Sequence, residues 1–147
     1  MARFGIVVSR FNAAVTERLL RSCLRTLQAH GVKEGEAWVV RVPGAFEIPW
    51  AAQELALSRR FDVLIGLGAV IQGRTKHDVY VADSVSKALQ ELALRTRIPC
   101  VFGVLTPRSE AQALARTRGR LDRGREAALT ALEMAGLKRL AARGKLH

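Results

Sequence analysis

Four short segments are nearly unbroken in apolar residues: "FGIVVS" (4–9), "AWVVRV" (37–42), "DVLIGLGAV" (62–70) and "PCVFGVL" (99–105). Only Arg41 interrupts them, a pattern that fits parallel strands covered on both faces rather than strands with one wet side. Between them the apolar spacing changes to three and four. After Asn12, a residue type suited to an N-cap, Val15, Leu19, Leu20, Cys23, Leu24 and Leu27 recur up to Gly31, which suits a left-handed helix end. A second helix is predicted from about Phe46 through "EIPWAAQELAL", with Pro49 tolerated in its first turn. A third is predicted over 79–94, with Val81, Val85, Leu89 and Leu92 as its inner stripe. A short helix near "SEAQALA" and a longer one over "REAALTALEMA", expected to stop at Gly136, complete the set. Strands alternating with helices imply right-handed crossovers, hence an α/β three-layer α/β/α sandwich with a four-stranded parallel sheet. No repeat, linker or low-complexity stretch divides the chain, so residues 1–147 are expected to form one domain.

In open parallel sheets ligands bind beyond the carboxyl ends of the strands. The four strand exits read "SRFN", "RVPGAFEIP", "GAVIQGRTKH" and "FGVLTP". Phe11 is either a staple on the following helix or a stacking plate for a planar heterocycle. Pro43 and Gly44 make a turn that lets the backbone of Ala45, Phe46 and Glu47 approach a ligand, although Glu47 could equally complement a helix dipole. Gly73 allows a sharp turn that aims the amides of Arg74 and Thr75 at an anion near the next helix start. His77 follows within a turn, and an imidazole is the side chain able both to take and to give protons at neutral pH.

Composition narrows the alternatives. Hydrophobic residues make up 49% of the chain and charged residues 25%, the balance of a soluble globular domain. No apolar run reaches the length needed to span a bilayer and no secretory signal opens the chain, so a cytoplasmic protein is expected. Cys23 and Cys100, each among apolar neighbours, are expected to be buried free thiols. The three histidines lie far apart, with no cysteine or carboxylate at ligand spacing, so no metal is expected. "GLGAVI" lacks the third glycine of a dinucleotide fingerprint and no P-loop occurs, which argues against a dehydrogenase or an NTPase. The formal net charge of +11 gathers in two places. One is the arginine-rich stretch around Arg116. The other is a tail with Lys138, Arg139, Arg143 and Lys145, whose simplest explanation is a solvated face.

The runs "GIVVSRFN", "VPGAFEIP", "GAVIQGRTKH" with Tyr80, "FGVLT", and "QALAR" leading to "ALTALEM" together resemble the 6,7-dimethyl-8-ribityllumazine synthase family, in order and over nearly the whole chain. The resemblance implies a flavodoxin-like sandwich that assembles as homopentamers, or multiples of them, with active sites between subunits. It implies condensation of 5-amino-6-(D-ribitylamino)uracil with 3,4-dihydroxy-2-butanone 4-phosphate in riboflavin biosynthesis, with release of phosphate and water and no redox cofactor. By position, Phe11 resembles the plate that stacks on the pyrimidine. Ala45, Phe46 and Glu47 match the holders of the ribityl chain and ring edge, and Ala69, Val70 and Ile71 match the backbone contacts to the pyrimidine. Arg74 and Thr75 match the phosphate cradle and His77 the proton-transfer residue. From a neighbouring subunit, Phe102 would close over the pyrimidine while Arg116 and Arg123 would bind the phosphate.

The chain departs from the family pattern in three places. Asp78 and Val79 follow His77 where an aromatic residue and an aspartate are usual, Gln72 replaces a frequent arginine, and the stretch from Arg116 to Gly124 is one residue short. Two other functions fit part of the sequence. The related riboflavin synthase handles no phosphate, which the anion corner and Arg116 oppose. A basic nucleic-acid-binding protein with a degenerate site would account for the charge but not for the strand exits.

Overall fold

The computed structural model describes residues 1–73 and 77–146. Along the chain run β1 (Phe4–Ser9), α1 (Ala13–Ala29), β2 (Ala37–Val42), a 3-10 turn (Ala45–Glu47), α2 (Ile48–Leu57), β3 (Val63–Ala69), α3 (His77–Thr96), β4 (Cys100–Leu105), α4 (Glu110–Ala115), a second 3-10 turn (Gly119–Leu121) and α5 (Arg123–Ala142). The four strands form one parallel sheet in the order β2-β1-β3-β4. Ser9 pairs with Val42 and Ala69 with Leu105, so the strands finish together along one edge.

Side-chain alternation along β1 assigns the layers. Phe4, Ile6 and Val8 pack with Val15 and Leu19 of α1 and with Ala128 and Ala131 of α5. Val7 joins Ile48 of α2 and Val85 and Leu89 of α3 on the other face. The result is a flavodoxin-like three-layer sandwich with an apolar cluster on each side of the sheet. No helix among the described residues is long and apolar enough to cross a membrane.

One buried polar junction ties the first helix to the last. Ser22 of α1 donates a hydrogen bond to Asp122, whose other carboxylate oxygen caps α5 by accepting from the amides of Gly124 (3.0 Å) and Arg125 (3.1 Å). At Gly124 the two helices come so close that a Cβ there would press into the Leu19 carbonyl oxygen and sit 3.1 Å from the Leu19 Cα. This contact fixes where α5 begins, and with it Arg123.

Five sequence expectations need correction. Asn12 does occupy the N-cap position of α1, but its backbone is left-handed (φ 63°, ψ 46°) and its side chain does not cap the helix. α3 begins at His77, two residues early, and continues to Thr96. α5 does not stop at Gly136 but runs to Ala142 and ends at Gly144 (φ 65°), because one glycine costs only about 1 kcal/mol against the hydrogen bonds it would forfeit. β2 is an edge strand with half-exposed residues and an exposed Trp38, not a strand covered on both faces. Cys23 and Cys100 are both free, but against expectation only Cys23 is buried, Cys100 being half-buried on the edge strand β4; burial pushes their thiols up to about 12 and about 11, and at Cys23 the Asp122 charge adds to the effect.

Candidate active site

The carboxyl edge of the sheet is stitched together by its own loops. Past β1, the amide of Arg10 donates to Val42 O (2.8 Å) and that of Phe11 to Pro43 O (2.9 Å), so the first and second strand exits run side by side. Asn12 Nδ2 then donates to Ala69 O (2.8 Å), joining the first exit to the end of β3. Asparagine tolerates the left-handed backbone this requires better than most residues do. Past β3, the amides of Val70 and Gln72 donate to Leu105 O and Pro107 O, both at 2.8 Å, which ties in the fourth exit. The floor of the edge is therefore fixed by hydrogen bonds between loops.

Above it lies a cavity of about 700 Å³, within the usual range for a small-molecule site. Phe11, Ala45, Phe46, Glu47, Ala69, Val70, Ile71 and His77 all line it, together with Asn12, Pro43, Gly44, Tyr80 and Val81. Three of these aromatic rings are mostly uncovered: Phe11 is 72% exposed, Phe46 63% and Tyr80 69%. Uncovered rings facing one concavity mark a place for a planar ligand or a partner. Glu47 is half-buried, and its Oε1 accepts from the Gly44 amide (2.9 Å). That bond holds the "VPGAFEIP" turn closed, so Glu47 shapes the loop as well as lining the cavity.

His77 opens α3, is exposed and faces the cavity. The next residues sort by environment: Asp78 is buried in the first turn, where a helix N-terminus favours an acid, whereas Val79 and Tyr80 are exposed. Arg74 and Thr75, the residues expected to cradle an anion, lie outside the described residues.

The remaining predicted residues assemble elsewhere. Phe102, Arg116 and Arg123 line a second cavity of about 450 Å³ along β4, with Glu126, Ala127 and Thr130 of α5. Arg116 follows α4 directly, and its carbonyl accepts from the Arg123 amide (2.8 Å), which brings the two arginines to one spot although a 3-10 turn separates them. Their charges differ in availability. Arg123 Nη1 is paired with Glu126 Oε2 at 2.7 Å, whereas Arg116, half-buried, has no ion-pair partner among the described residues. Within one chain, then, the aromatic cavity with the imidazole and the arginine pair with Phe102 line different cavities.

Sequence reasoning assigned Asn12 to helix capping, Val81 to the core stripe and Glu126 to no role. Only Glu126 carried a readable signal, its spacing three residues after Arg123 on one helix. A family model described as 6,7-dimethyl-8-ribityllumazine synthase matches residues 1–139.

Proposed function

Because the chain belongs to the 6,7-dimethyl-8-ribityllumazine synthase family, we propose that it condenses 5-amino-6-(D-ribitylamino)uracil with 3,4-dihydroxy-2-butanone 4-phosphate to 6,7-dimethyl-8-ribityllumazine in riboflavin biosynthesis. The observation that carries the proposal is the aromatic cavity, where Phe11, Phe46, Glu47, the Ala69–Ile71 backbone and His77 come together. A flat, polyhydroxylated pyrimidine fits such a lining: a ring to stack on, backbone groups at the ring edge and a carboxylate toward the hydroxyls.

The chemistry assigns the remaining roles. An amine nitrogen adds to the ketone and the carbinolamine expels water. Phosphate is then eliminated, and ring closure expels a second water. Each step moves a proton, and we assign its transfer to His77, which begins α3 and lines the cavity, an effect worth about 10²- to 10⁴-fold. Holding two substrates in register contributes more, so loss of the imidazole slows the reaction without abolishing it. The phosphate calls for a cation not already held in an ion pair, which favours Arg116 over the Glu126-paired Arg123.

The separation of the two cavities within one chain supports a shared site in which one protomer lends Phe102 and Arg116 to the cavity of the next, and hence a cyclic homo-oligomer, a pentamer or a multiple of it. Purified protein mixed with the two substrates should form the lumazine chromophore and release phosphate faster than the uncatalysed mixture; equal rates reject the reaction. Arg116→Ala should raise KM for the phosphorylated substrate far more than for the pyrimidine. Mixing His77→Ala with Arg116→Ala protomers, each impaired alone, should restore activity if sites are shared between chains and should not if each chain is self-sufficient.

A further inference from the structure

The condensation asks for one more group than the residues so far assigned supply. As the amine adds to the ketone, a C–N bond forms, the carbonyl π pair moves onto the oxygen and the nitrogen becomes an ammonium. His77 carries the proton from that nitrogen to the oxygen, which gives the neutral carbinolamine. Until the proton arrives the oxygen bears the developing negative charge, and a hydrogen-bond donor already in position lowers the barrier at that moment.

Among the described residues, the polar side chains lining the aromatic cavity are those of Asn12, Glu47, His77 and Tyr80. Asn12 spends its amide nitrogen on Ala69 O (2.8 Å). Glu47 holds the Gly44 amide (2.9 Å), and a carboxylate accepts hydrogen bonds without donating them. With His77 occupied by the proton, Tyr80 is left. Its ring is 69% exposed and its hydroxyl makes no hydrogen bond among the described residues. The helix also sets it beside the imidazole, since positions three apart on α3 have Cβ atoms about 5–6 Å from each other. The residues between them do not compete: Asp78 is buried, and Val79 is apolar and absent from the cavity lining. Val81, packed with Val85 and Leu89 against the sheet, anchors the turn that carries Tyr80.

We propose that Tyr80 is a further catalytic residue of the condensation, its phenol donating a hydrogen bond to the ketone oxygen while the amine adds. The assignment rests on the reaction read above from the cavity and adds a second role to α3: His77 moves the proton, and Tyr80, keeping its own, steadies the charge. The ketone oxygen later departs as water. The lumazine product therefore lacks the atom that Tyr80 grips, and loss of the phenol should slow turnover without weakening the hold on product.

The test is Tyr80→Phe, which removes one oxygen from an exposed ring, so its thermal midpoint and its assembled mass by light scattering should match the parent's. Its kcat for lumazine formation should fall about 10²-fold, the effect of losing one such donor, with KM for both substrates within about twofold. Fluorescence titration should give the lumazine the same Kd in parent and variant. An unchanged kcat overturns the assignment, as does a loss confined to KM, which would make the phenol a uniform binding group. An equal loss of lumazine affinity would reduce Tyr80 to shaping the cavity, and a changed assembled mass would make it a contact between subunits; either result also overturns the assignment. In all these outcomes the parent still forms lumazine and the reaction stands. A parent that forms none overturns the reaction and the assignment together.

Discussion

Two glycines in one helix offer a sharp test of how α5 is held. Gly124 and Gly136 both lie in α5 with ordinary helical backbones, so alanine at either site gains helix propensity, about 1 kcal/mol. Their surroundings differ. A Cβ at Gly136 meets nothing within 4 Å, whereas one at Gly124 runs into the Leu19 backbone of α1, which cannot swing aside as a side chain would. Restoring ordinary contact there needs a helix shift of about 1 Å, and overpacking of this kind costs about 1–3 kcal/mol, toward the upper end when backbone meets backbone. Gly136→Ala should therefore stabilise by up to about 1 kcal/mol. Gly124→Ala should destabilise by about 2 kcal/mol net, a fall in Tm of roughly 4–8 °C for a chain of this size. Thermal denaturation followed by circular dichroism, with both variants in one buffer at one protein concentration, reads the signs directly. A shift of α5 also moves Arg123 and the carbonyl of Arg116 bonded to its amide, so Gly124→Ala should raise KM for the phosphorylated substrate while Gly136→Ala leaves it unchanged. A Gly124→Ala protein as stable as the parent would refute the close approach and the account of α5 positioning built on it.

Three further outcomes are expected. Asn12→Ala should lose about 1–3 kcal/mol in urea denaturation, from the bond to Ala69 O and from left-handed strain, whereas Asn12→Gly, which accommodates that backbone, should lose less. Cys23, its thiol pushed up to about 12, should resist an aromatic disulfide reagent at pH 8 in the native protein and react promptly in denaturant. The hydrogen bond from Arg41 holds the Glu17 carboxyl below its ordinary range, so the pair stabilises the fold above the unfolded-state value and that contribution fades as pH falls through the lowered one. Both side chains are more than a third exposed, so Glu17→Gln should cost less than about 1 kcal/mol at pH 7, and the difference should vanish on acidification.

The strands and layers were legible because their signal is local: runs such as "GIVV" and "VLIGLGA" admit few structures other than covered parallel strands. Helix ends were less so. Gly136 looks like a stop only if the helix beyond it has nothing to hold, and the contact of Lys138 with Asp62, 76 residues apart, is invisible along the chain. Asn12 was ambiguous in principle, since the amide that suits a cap also suits a left-handed turn. The cavity lining was readable because the parallel fold brings all strand exits to one edge. Its division into two cavities was not, because that depends on the lateral order β2-β1-β3-β4, which leaves Phe102 on an outer strand.

The junction of Ser22 with Asp122 has a consequence for biosynthesis. Its partners are 100 residues apart, and the helix that shields α1 is the last to emerge from the ribosome. At about 5–20 residues per second, the apolar stripe of α1 therefore waits several seconds or more for its cover. A nascent chain arrested before α5 would present that stripe to chaperones, and premature stop codons in this region should yield insoluble fragments rather than a smaller folded protein.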